Sequence, residues 1–155
     1  MIKGTGAFIA TPALAAILSG CSQNKENQDQ PEHQTTQVNQ TMKIQYLEIV
    51  TPDVEAAVAL HSQINGVSFS APEPNLGGAR TAELDGGGWL GIRAPLRETE
   101  EPVVRPYFLV DDIDSAVASA ASSGAEIAMN PMEIPGYGKF AIFISGGIET
   151  GLWQL

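Results

Sequence analysis

A repeat runs through the chain. Thr51-Pro52-Asp53-Val54-Glu55-Ala56-Ala57-Val58 lines up with Val110-Asp111-Asp112-Ile113-Asp114-Ser115-Ala116-Val117 at a constant offset of 59 residues. Each copy is the end of a strand, an Asp in N-cap position, and the start of a helix. The helices run to Asn65-Gly66 and Ser123-Gly124, where glycine suits the C-terminal stop. Farther on, Asp85-Gly86-Gly87 matches Ser145-Gly146-Gly147 at an offset of 60, and Gly91-Ile92-Arg93 then matches Gly151-Leu152-Trp153. Two blocks in the same order, separated by a one-residue indel, mark a duplication. Each half reads strand, helix, then three strands joined by Gly-rich turns, a βαβββ module, over residues 43–95 and 104–155. The second strand of each module is expected around Val67–Ser70 and Ala125–Met129. The fold class is α+β.

Strand alternation divides the residues between two faces. Leu47, Ile49, Leu90, Ile92, Pro106, Phe108, Val110 and Leu152 share one and suit packing under the helices. Tyr46, Glu48, Arg93, Arg105, Tyr107 and Trp153 share the other. Antiparallel sheets commonly leave one face to solvent. Two arginines among aromatic and acidic neighbours favour instead a concave ligand cleft, with these six as ligand-binding candidates.

The first forty-odd residues read differently. Ala7 to Leu18 is an apolar stretch broken only by Thr11 and Pro12 and preceded by Lys3. It is too short for a membrane span and long enough for a signal-peptide core. It leads into Leu18-Ser19-Gly20-Cys21, which resembles a bacterial lipobox, with Cys21 the lipidated residue and the chain's only cysteine. Ser22 follows, and a residue other than aspartate there resembles the default for outer-membrane sorting in diderm bacteria. From Ser22 to Thr41 the only aliphatic residue is Val38, so too little apolar surface is present to offset chain entropy. The expected organisation is a signal peptide over 1–20, lipidated Cys21 with a disordered polar tether over 21–42, and one domain over 43–155, lipid-anchored at the cell envelope.

The formal net charge of −10 disfavours nucleic acid as a partner, since phosphate binding needs a basic face. His33 falls in the tether and is expected in solvent. His61 falls on the first helix, with Ala57 and Asn65 at helical spacing, and is expected to be helix-packed or partly exposed. Glu98, Glu100 and Glu101 follow Pro95 between the modules and are expected as a solvated charge cluster. The glycines at 86–88 and 146–147 read as hairpin turns and not phosphate loops, because no helix follows them.

Paired βαβββ modules with Thr-Pro-Asp-Val after one first strand and Val-Asp-Asp-Ile-Asp after the other resemble the vicinal-oxygen-chelate superfamily, the glyoxalase/bleomycin-resistance/dioxygenase group. Pro135-Gly136-Tyr137-Gly138 before a strand and the Gly151-Leu152-Trp153-Gln154 ending add to the likeness. The resemblance implies a half-open, eight-stranded mixed sheet around a cleft. It also implies a divalent metal held by His, Gln or Glu at four places, which in this chain are Tyr46, Gly91, Arg105 and Gly151. Glycine has no donor side chain, arginine is a permanent cation, and tyrosine must first lose a proton with a pKa near 10. No metal and no cofactor is therefore expected. Three functions stay open: metal-free binding of a small anionic or aromatic molecule; a glyoxalase-like lyase, isomerase or dioxygenase with an atypical site and Glu48 as its acid or base; and a protein-interaction module. Association into a homodimer also stays open.

Overall fold

The computed structural model describes residues 41–155, so the signal peptide, Cys21 and nearly all of the tether lie outside the described residues. Strand β1 (Ile44–Val50) leads through the Asp53 cap into helix α1 (Val54–Asn65). A 3-10 turn (Pro74–Leu76), β2 (Arg80–Glu83) and β3 (Trp89–Arg93) complete the first half. The second half is β4 (Val103–Leu109), α2 (Ile113–Ser122), β5 (Glu126–Ile134), β6 (Gly138–Ser145) and β7 (Ile148–Gln154).

The helices begin and end where the repeated motif places them. The Asp53 side chain accepts from the amide of Ala56, and the Asp112 side chain accepts from that of Ser115 at 3.0 Å. Each thereby satisfies one of the free N–H groups of a first turn. Gly66 closes α1 with φ of 67°, a backbone region that side chains with a Cβ rarely enter.

One seven-stranded sheet has the order β2-β3-β1-β4-β7-β6-β5. The first strands of the two modules, β1 and β4, meet antiparallel at its centre, and each lies parallel to the last strand of its own module. The duplication is thus visible as a pseudo-twofold about the β1–β4 seam.

Seven strands replace the eight that the resemblance implies. No strand forms around Val67–Ser70, where a single backbone bond joins Ser70 N to Thr81 O at 2.8 Å. Pro72 and Pro74 follow at once, and proline has no N–H to extend a ladder. The equivalent β5 does form and runs on to Ile134. It tolerates Pro131 because it is an edge strand with a register shift between Met129 and Met132.

The two faces are those that alternation implies. Under α1, Val58 packs on Leu90 and Ile92, with Leu47 and Ile49 beside them. Under α2, Ile113 packs on Ala141 and Leu152, with Val110 alongside. Pro106 and Phe108, at mid-sheet, are only half-buried. The concave face holds a third cluster around Tyr46, Tyr107 and Trp153. Among the described residues no helix is long and apolar enough to cross a membrane.

Ile92 is completely buried under α1. Ile92→Ala should lower the unfolding free energy by about 2–5 kcal/mol in denaturant titration, from lost transfer energy and the cavity left behind.

Candidate functional site

Tyr46, Glu48, Arg93, Arg105, Tyr107 and Trp153 all line one cavity of about 300 Å³ on the concave face. They come from β1, β3, β4 and β7, the four central strands. The cavity has two ends of different chemistry.

One end is a buried ion network. Glu48 and Arg105 stand directly opposite each other across the β1–β4 seam. Glu48 Oε1 accepts from Arg93 Nε at 2.6 Å, and Oε2 accepts from Arg105 Nη1 and from the Tyr107 hydroxyl at 3.1 Å. Both oxygens are therefore committed to protein groups. Arg93 also donates to Glu100 through Nη1 and Nη2, at 2.9 and 2.7 Å, a bidentate pairing. Arg105 donates through Nε and Nη2 to Oε2 of Glu149. Burial opposes the charge on each guanidinium, but Glu100 and Glu48 outweigh it at Arg93, and Tyr107, Glu149 and Glu48 outweigh it at Arg105, so both arginines are held above their ordinary range.

The other end is aromatic and apolar. Tyr46, Tyr107 and Trp153 meet with ring centroids 5.4–5.8 Å apart, within the range of favourable tilted and edge-to-face contact. Phe140 continues the wall, with Leu76, Met129, Ile134 and Ile142 around it. Trp153 Nε1 donates to Tyr137 O at 2.9 Å, which fixes the indole and ties the 135–137 turn to the floor. The turn at Asn75 reaches over from the first module, its side-chain amide on Pro135 O at 3.5 Å.

The four positions at which the resemblance implies metal ligands do not fit a divalent ion. A Cβ built on Gly91 would overlap the hydroxyl of Tyr46, and one built on Gly151 would overlap the ring of Tyr107. Each glycine thus serves as the floor on which a neighbouring tyrosine ring lies, and a ligating side chain at either place would displace that ring. Burial, with Glu48 beside it, pushes the Tyr46 phenol well above its ordinary pKa, so a neutral hydroxyl and not a phenolate stands there. That hydroxyl has no hydrogen-bond partner among the described residues. Arg105 brings a fixed positive charge to the fourth position.

Glu100 corrects the expectation of a solvated charge cluster. It reaches back from the inter-module segment to Arg93, and it also accepts from the Leu96 amide at 2.7 Å. Glu149 is a further participant that sequence reasoning passed over. Its signal was available, since Glu149, Gly151 and Trp153 alternate onto one face of β7. Glu100 sits in a segment with no periodicity and carried no such signal. His61 is half-buried on α1 and is not among the residues that line the cavity.

No family model matches the sequence. The chain is 29% identical over 111 residues to "Putative glyoxylase CFP32" of Mycobacterium tuberculosis, covering 69% of this chain and 41% of that protein. It is 24% identical over 127 residues to "Anthracycline biosynthesis protein DnrV" of Streptomyces peucetius, covering 70% and 46%. The chain therefore spans less than half the length of these relatives. Among solved structures, a Streptomyces coelicolor methylmalonyl-CoA epimerase superposes with a TM-score of 0.57 at 22% identity, over 72% of this chain and 93% of that one. A hypothetical protein from Bacillus halodurans, BH1468, gives 0.59 at 12% identity, over 75% and 96%.

The domain has the glyoxalase-like fold of the vicinal-oxygen-chelate superfamily. The α+β class and the paired modules follow from that fold, with seven strands in place of eight.

Two variants report on the ion network. Glu48→Gln keeps the shape and leaves Arg93 with Glu100 and Arg105 with Glu149, but it removes the one carboxylate that joins the two arginines, and should cost about 1.5–3 kcal/mol in chemical unfolding. The bonds from Arg93 hold Glu100 down to about 2, outweighing the opposing effect of burial. A carboxyl so depressed contributes stability that is fully present above its unfolded value and lost as pH falls through about 2. Melting temperatures measured down the acid range should therefore fall less steeply in Glu100→Gln than in wild type.

Proposed function

We propose that this chain is an envelope-anchored lipoprotein whose glyoxalase-like domain binds a small organic molecule in the concave cleft without a metal ion. The observation that carries the reading is the replacement of the metal-ligand geometry by two tyrosine–glycine contacts and an arginine, beside a cavity that stays open. A volume of about 300 Å³ suits a molecule of one or two rings. Phe140 offers a partly exposed ring, backed by the buried rings of Tyr107 and Trp153, and Glu48, Arg93 and Arg105 form a rigid polar end that orients a ligand's heteroatoms.

The aromatic half of the sequence expectation is better supported than the anionic half. Both arginines are already neutralised by carboxylates, so an incoming anion would have to displace a buried partner. Solved relatives of the fold hold small molecules, as in a methylmalonyl-CoA epimerase in complex with methylmalonyl-CoA. Cys21 supplies the lipid anchor in this reading, and the polar stretch after it sets the domain off from the membrane surface.

Chelator treatment should leave the melting temperature of the purified protein unchanged, and elemental analysis should find no stoichiometric divalent ion. A tightly held ion at one per chain would overturn the metal-free reading. Cys21→Ser should move the protein from the detergent phase to the aqueous phase in phase partitioning. Unchanged partitioning would overturn the anchor.

A further inference from the structure

The charges that meet at the polar end of the cavity do not balance. Arg93 and Arg105 are the two cations, and Glu48, Glu100 and Glu149 are the three carboxylates that hold them. One formal negative charge is left over, and the geometry locates it. The Glu48 and Glu100 side chains are 7% and 15% exposed, and each gives both oxygens to donors. The Glu149 side chain is 38% exposed and lines the cavity. Both of its bonds from Arg105 fall on Oε2, so Oε1 has no hydrogen-bond partner among the described residues.

One opposing charge lies nearby. Arg97 lines the mouth of the cavity and makes no salt bridge among the described residues. It is exposed, so water and salt screen it, whereas Glu149 stands beside a desolvated network. The aromatic wall acts in the same direction as Glu149, because the partly exposed ring face of Phe140 carries negative quadrupole density that attracts cations and repels anions. The net charge of −10 adds a long-range attraction of the same sign.

We propose that the cleft selects small organic cations, an aromatic or apolar body lying against the aromatic wall and a protonated amine accepted by Oε1 of Glu149. The inference rests on the proposed binding function and names its ligand class. Glu149 is then the residue that sets specificity, while Glu48 holds the arginines in place. Recognition needs no bond to form or break.

Three indoles of similar size separate the outcomes: tryptamine, a cation; tryptophol, its neutral counterpart; and indole-3-acetate, an anion. Binding is read from the indole N–H resonance of Trp153 in titrations of the full chain carrying Cys21→Ser. At low salt tryptamine should bind about two- to fivefold more tightly than tryptophol, the range of a partly exposed ion pair. That ratio should shrink with added salt and fall towards one in Glu149→Gln, whose amide oxygen can still accept from Arg105. Arg97→Gln should preserve or increase it. A preference for indole-3-acetate, or a tryptamine preference that survives both salt and Glu149→Gln, overturns the inference. Equal binding of all three overturns it while leaving a general aromatic-binding cleft. If no indole moves the Trp153 resonance, the binding function fails as well.

Discussion

A carboxylate with 7% of its side chain exposed holds two guanidiniums and a phenol at the centre of this sheet. Glu48 lies on the first strand of one module, directly across from Arg105 on the first strand of the other. Taking an ion out of water costs several kcal/mol, which attraction repays only when every charge finds a well-placed partner. That condition constrains the architecture around it. A one-residue slip of β1 against β4 would turn Glu48 towards the helix side, among Leu47, Ile49 and Ile92, where no cation waits. The central register, and with it the relative placement of the two modules, is thus tied to an interaction that apolar packing alone would not supply.

The second device is steric and occurs twice. Tyr46 lies on Gly91 and Tyr107 lies on Gly151; the glycines hold equivalent places in the two modules, whereas the 59-residue offset pairs Tyr46 with Arg105 and Tyr107 with Glu48. Neither tyrosine could take its position if the glycine carried a side chain. Each pair turns a place where the superfamily resemblance implies a ligand into a flat apolar seat for a ring. The rings then reach one another and Trp153, so the floor of the cleft is continuous across the seam.

Much of this arrangement is legible in the sequence because it obeys a period. The 59-residue offset reports both helices and both caps, and alternation along each strand places six residues on one face that the fold then brings to one cavity. Glu149 obeys the same alternation and needed only the charge beside it to be noticed. What escapes is whatever depends on aperiodic chain. Glu100 bonds Arg93 from a connecting segment whose path no local rule specifies. The missing strand at Val67–Ser70 has an apolar-polar alternation of its own, Val-Ser-Phe-Ser, and fails because Pro72 and Pro74 remove the donors that would extend it. Pro131 in β5 is the instructive contrast, because the same residue type is accepted where the strand lies at an edge and bulges around it.

The state of each polar group also bears on whether the cleft holds a molecule or transforms it. General acid–base chemistry needs a group within reach of the ligand that can take or give a proton at moderate cost. Burial pushes the phenols of Tyr46 and Tyr107 up, so they stay protonated, and the arginines are held firmly as cations. Glu48 has both oxygens committed to the two guanidiniums and the Tyr107 hydroxyl, so neither is free to meet a ligand. Such a network changes little when a ligand arrives, and its rigidity lowers the ordering cost of binding. The polar atoms left without a partner among the described residues are the buried Tyr46 hydroxyl and, at the rim, Oε1 of Glu149, with the exposed guanidinium of Arg97 nearby. A cavity whose interior charges are paired and whose rim carries the free ones is suited to discriminate between molecules by sign and shape.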